Sequence, residues 1–147
     1  MQTTKSVPRR LSRIKAFQFL YGLEFAEIQD VQRLENNYKN FPTQEGDEEN
    51  ICEGFTWELI LGVWQNSKEL DFIVQQYSKK WRLDRVGKVE LCLLRLALFE
   101  MKFRDDIPDK VAINEALELN KIFGEERSQA FINGILDNYS KSKNENK

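Results

Sequence analysis

Three arginines near the start of the chain, Arg9, Arg10 and Arg13, are the side chains whose type and spacing most directly suggest chemistry. Each carries a planar, permanently charged fork that matches phosphate oxygens. With Lys5 and Lys15 they give residues 1–20 a charge of +5 and no acid, and the net charge of −2 leaves −7 for the rest. A basic end on an acidic body points to a polyanionic partner at that end. Pro8 marks a helix start, so the arginines fall in the opening turns, where cations oppose the helix dipole. Two readings stand: a solvated basic face, or a site for an anion.

The second constellation lies between Ile107 and Asp137. Pro108 opens a helix, Val111, Ala112, Ala116, Leu119 and Phe123 recur on one stripe, and Gly124 reads as a stop able to take positive φ. Ser128 is placed to cap a following helix that carries Phe131, Ile132, Ile135 and Leu136. Asn114, Glu115, Asn133 and Asp137 sit beside these apolar positions and are expected to bond to nearby backbone and hold the turn.

Other chemistries find little support. The 147 residues include no histidine, which removes the commonest general base and metal ligand. Cys52 and Cys92 are far apart and both fall in helical patterns, so no close-spaced metal pair exists and buried free thiols in a reducing cytoplasm are expected. No Gly-rich nucleotide loop and no catalytic cysteine motif is present. No apolar run approaches the roughly 20 residues that span a bilayer, and no signal-type stretch follows the basic N-terminus. The expectation is a cytoplasmic, non-catalytic chain without cofactor or metal.

The elements that would position these residues are helices throughout. Gly and Pro are sparse, seven and three in number, which favours helices over a turn-rich β fold. Leu11, Ile14, Phe17, Leu20 and Tyr21 share one arc of a first helix running to about Phe25. Ile28, Val31, Leu34 and Tyr38 mark a second, ending near Phe41 and Pro42. Thr43 to Asn50 is polar and acidic, a loop. Ile51, Phe55, Leu59, Ile60, Val63 and Trp64 predict a largely buried third helix. Leu70, Ile73, Val74, Tyr77 and Trp81 mark the fourth. Leu83 and Asp84 read as staple and N-cap for a helix apolar on nearly all sides from Val86 to Phe99, interrupted by Arg95 and Glu100. Arg95 is expected in a structural ion pair or capping carbonyls, with a partner contact as the alternative. Trp57, Trp64 and Trp81 are assigned to the core rather than to base stacking. Residues 1–7 and 140–147 read as flexible ends. The fold class is therefore all-α, about seven helices in two small bundles, within one domain over 1–147.

The run from Ile107-Pro108 through Val111-Ala112-Ile113-Asn114-Glu115-Ala116 and Phe123-Gly124 to Phe131-Ile132-Asn133-Gly134-Ile135-Leu136-Asp137 resembles the signature of the NusB family of transcription antitermination factors. Arg9-Arg10, Arg13, Ala16 and Leu20-Tyr21 resemble its N-terminal pattern. Trp81, Leu83 to Val86, Val89-Glu90, Leu94 to Ala97 and Glu100 resemble its central one. The likeness is weak from Gly22 to about Gly54. It implies two three-helix subdomains packed across one another, and binding of boxA-type single-stranded RNA together with the ribosomal protein NusE. That pair would act in the RNA polymerase antitermination complex, notably on ribosomal RNA operons. It implies that Arg9, Arg10 and Arg13 meet RNA phosphates, that Phe131 contacts a base, and that Tyr21 and Glu90 lie on the surface shared with NusE and RNA. On pattern alone Tyr21 could simply be core, and Phe131 falls nearer to core than to RNA. Arg127 could add to RNA affinity or pair with Glu125 and Glu126. Two alternatives accompany the resemblance: a helical accessory to a ribosomal RNA methyltransferase, and a homodimeric scaffold.

Overall fold

The computed structural model describes residues 8–43, 49–78 and 83–145. Among these, seven α-helices occur and no strand: α1 (Arg9–Leu23), α2 (Val31–Lys39), α3 (Gly54–Gln65), α4 (Ser67–Tyr77), α5 (Lys88–Phe103), α6 (Asp109–Phe123) and α7 (Ser128–Glu145). The all-α expectation holds. Trp81 and the middle of the Thr43–Asn50 loop lie outside the described residues, as do residues 1–7.

The chain divides into two compact units, Met1–Leu61 and Gly62–Lys147, with the boundary inside α3. The first holds α1, α2 and most of α3. The second holds four helices, α4 to α7, rather than the three that the resemblance implied.

The first unit is an aromatic core. Phe19 meets Tyr38 and Phe41 edge-on, both at 5.3 Å between ring centroids, and Tyr38 stacks on Trp57 at 5.5 Å. Ala16, Leu34, Leu59 and Ile60 are fully buried around them. Asp30 caps α2 by accepting from the Arg33 N–H at 2.8 Å. The other end of α2 is closed by buried Asn50, whose Nδ2 donates to the carbonyls of Tyr38 and Phe41 at 3.0 and 2.8 Å. Because the chain is still turning there, α3 starts at Gly54, a residue with φ +84°. Ile51 is thus exposed, and Cys52 sits in the bend before the helix rather than within it. Burial, with Glu35 nearby, pushes the Cys52 thiol up, so it stays protonated at neutral pH and is a poor nucleophile. Trp57 is core, as expected, and Trp64 is half-buried.

In the second unit α5 packs against α4, α6 and α7, which is why it is apolar on nearly every side. Leu93, Leu94, Leu98, Leu119, Ile132 and Leu136 are essentially inaccessible. The ring of Phe99 lies so close to Gly62 that any Cβ there would collide with it. Arg95 forms the expected ion pair, a bidentate one to Asp71 with Nε–Oδ1 of 2.6 Å and Nη2–Oδ2 of 2.8 Å. Val86 does not belong to α5. Leu83–Arg85 form a single 3-10 turn, anchored by the Leu83 N–H on Gln75 Oε1 at 2.8 Å, and the helix begins only at Lys88. Asp84 is therefore not its N-cap.

The helix α7 runs to Glu145, well into the stretch from Ser140 that the sequence reads as flexible. Tertiary bonds supply what low apolar content could not. Ser140 Oγ donates to Asp109 Oδ2 at 2.7 Å, and Lys143 Nζ donates to Asp109 Oδ1 at 2.7 Å and to the Met101 carbonyl at 2.8 Å.

Candidate nucleic-acid and partner surfaces

The predicted site residues fall on both units. In the first unit, Pro8 precedes α1 and its carbonyl accepts from the Ser12 N–H at 3.2 Å, so Arg9, Arg10 and Arg13 occupy the opening turns as expected. No acid stands in the first turn. Arg9 and Arg10 are exposed. Arg13 is not: it is 4% exposed. Arg9 and Arg13, four residues apart and hence on one face, both lie over the ring of Phe55, with guanidinium carbons 4.5 and 5.3 Å from its centroid. Such contacts contribute about 0.5–1 kcal/mol at exposed sites and hold the long side chains in place. The outcome is a charged surface that is braced rather than loose, with Arg10 beside it. Phe55, read from the sequence only as an apolar stripe position, is the unexpected member. No local pattern could have paired it with residues more than 40 positions earlier.

Tyr21 lies on the same helix, half-buried, stacked on core Phe17 at 5.8 Å and edge-on to Phe25 at 5.6 Å. Phe25 is 67% exposed. Tyr21 is thus neither plain core nor a free surface ring; it links a buried aromatic to an exposed one.

The other residues cluster in the second unit around the turn from α6 to α7. Asn114 and Asn133 are exposed, and Asp137 pairs with Lys141 at 3.0 Å, so these do not hold the turn. Fully buried Asn120 does. Its Nδ2 donates to the Glu125 carbonyl at 3.0 Å and to Gln129 Oε1 at 2.8 Å. Gly124 has φ −111°, not a positive value. Glycine is needed for space, since a Cβ would collide with Asn120 Oδ1. Ser128 does not cap α7 through its hydroxyl; its Oγ donates to Glu90 Oε1 at 2.6 Å. Glu90 is half-buried as a result. Arg127 is strongly exposed and pairs with Glu125. Phe131, one turn further on, is half-buried beside fully buried Ile132. No cluster of three or more potential metal ligands occurs among the described residues, and no helix there is long and apolar enough to cross a membrane.

The fold defines the class as an all-helical protein, with a braced arginine face on its first helix and an exposed arginine and a half-buried phenylalanine on either side of the start of its last. The chain belongs to the NusB family, whose model matches residues 10–141. It is 49% identical over 136 residues to the transcription antitermination protein NusB of Oleidesulfovibrio alaskensis, covering 91% of this chain and 88% of that one. Its fold is similar to that of T. maritima NusB, with a TM-score of 0.76, 36% identity and 92% of each chain covered. It is similar in fold also to a structure of the antitermination factors NusB and NusE in complex with dsRNA. There the TM-score is 0.71 and the identity 22%, over 91% of this chain and 96% of that one.

Proposed function

We propose that this chain is a non-catalytic transcription antitermination factor of the cytoplasm. It binds boxA-type single-stranded RNA together with the ribosomal protein NusE, and the pair works within the RNA polymerase antitermination complex on ribosomal RNA operons. The observation that carries this reading, beside family membership, is the braced basic face. Arg9 and Arg10 are exposed on a helix whose own first turn holds no acid, and Arg9 is held over Phe55. Buried Arg13 completes the charge from beneath. Arg127 and Phe131 supply further RNA contact, phosphate and base respectively, since sequence-specific RNA binding commonly combines charge with aromatic stacking on unpaired bases. Tyr21 and Glu90 belong to the partner surface. So small a basic patch gives weak, salt-sensitive RNA binding alone, which is the reason for a partner.

Fluorescence anisotropy with labelled RNA tests this. A boxA-like strand, a scrambled strand and the boxA duplex are titrated with the chain alone and with NusE. The reading requires that NusE tighten binding to the boxA strand over both competitors. Equal affinity for all three RNAs, or no effect of NusE, would reject it.

A further inference from the structure

The turn that presents Arg127 and Phe131 is clamped from two sides. From the α6 side, Asn120 ties down the Glu125 carbonyl and the Gln129 side chain, while its own carbonyl accepts from the Gly124 N–H at 2.8 Å. From the α5 side, Glu90 holds the Ser128 hydroxyl through a short, charge-assisted bond of 2.6 Å. Each clamp uses space left by a glycine. A Cβ at Gly124 would strike Asn120 Oδ1, and one at Gly87 would strike the Glu90 carboxylate. The clamped residues are 125, 128 and 129, which flank Arg127 and lead directly to Phe131.

Neither clamp is what helix formation alone would select. A serine at a helix start normally bonds its own helix's N–H groups; here the hydroxyl turns away to a different helix. Asn120 is fully buried with its Oδ1 lacking a hydrogen-bond partner among the described residues, an arrangement that costs stability. What the two clamps have in common is that they fix one short segment before any ligand arrives. A segment already ordered loses less conformational freedom on binding.

We infer that Asn120 and Ser128 are positioning residues for RNA binding, which pre-order residues 125–131 so that Phe131 meets RNA without a prior ordering step. The inference rests on the RNA role proposed above for Phe131. Asn120 and Ser128 touch no RNA; they act through Phe131.

The test is RNA affinity of the full chain with NusE on a boxA-like strand. The variants are S128A, S128T, N120A, F131A and the double variants S128A/F131A and N120A/F131A, each first shown by circular dichroism to be folded at the assay temperature. S128A and N120A should each weaken binding about three- to tenfold, the scale of one missing hydrogen bond, and S128T, which keeps the hydroxyl, should restore it. Each double variant should bind no worse than F131A alone, an epistasis that mere loss of stability would not produce. If S128A fails to fold, N120A and its double variant decide by the same criterion. If F131A weakens binding but the clamp variants do not, or if the losses multiply, the positioning role is overturned while the RNA site stands. If F131A itself has no effect, the RNA role of this segment falls first.

Discussion

Arg13 carries a positive charge in a nearly inaccessible position, and a buried charge is tolerated only where neighbours hold it. Its stem and its guanidinium over Phe55 make it part of the packing as well as of the charge. R13A is therefore expected to lower stability by about 1–3 kcal/mol, the range for removing a buried, partnered polar group, as read by urea unfolding. R10A, at an exposed position, should change stability by less than about 0.5 kcal/mol. The sequence placed all three arginines on one helix start, and there they are. It could not separate the buried one from the exposed pair, because that depends on a phenylalanine from another helix. Tyr38 offers a second check at this scale. Burial pushes its phenol from an ordinary 10 up to about 12, with a smaller contribution from Cys52. The neutral form is favoured in the fold, so stability is fully present below pH 10 and falls as pH rises toward 12. Y38F should flatten that part of the stability–pH curve; an unchanged decline would show that other groups cause it.

At the scale of elements, helix faces were legible and helix ends were not. Apolar stripes gave α1, α2 and α4 to α7 because core packing at 3.6-residue spacing leaves a pattern in one dimension. Ends are set by tertiary bonds. Asn50 closes α2 and delays α3 to Gly54, Gln75 holds the 3-10 turn that delays α5, and Asp109 extends α7 through Ser140 and Lys143. Pro8 and Pro108 succeeded as start signals because their effect is local. The same distinction accounts for the α6–α7 turn. Asn114 and Asn133 drew attention by their apolar neighbours, whereas Asn120, which does the holding, looks like any polar residue near a helix end. Two substitutions follow from this. K143M should cost about 0.5–2 kcal/mol, since it leaves Asp109 and the Met101 carbonyl without their charged donor, and should raise hydrogen exchange in the last two turns of α7. G124A should cost about 1–3 kcal/mol by overpacking against Asn120; combining it with N120A should recover part of that loss, because the colliding atom is gone. Full additivity of the two would contradict the collision.

At the scale of the whole molecule, function follows from how charge is distributed over a helical scaffold. An acidic chain of net charge −2 keeps +5 within its first twenty residues, and among the described residues that charge is borne by α1. The family was legible because its signature lies in both the turn before α7 and the arginines of α1, and the match extends over residues 10–141. The division of labour proposed within the signature, between residues that contact RNA and residues that fix them, was not legible, since Asn120 and Ser128 look like any polar positions beside apolar ones. The central claim is that the exposed arginines of α1 bind RNA phosphates. Its most direct test is the salt dependence of binding to a boxA-like strand in the presence of NusE, comparing wild type with R9A/R10A. For a single strand, each phosphate that no longer meets an arginine should reduce the slope of log affinity against log salt by about 0.7. The double variant should therefore bind more weakly and show a slope shallower by about 1.4 if both arginines engage phosphate. An affinity and slope identical to wild type would mean that Arg9 and Arg10 are only a solvated face, and would contradict the claim.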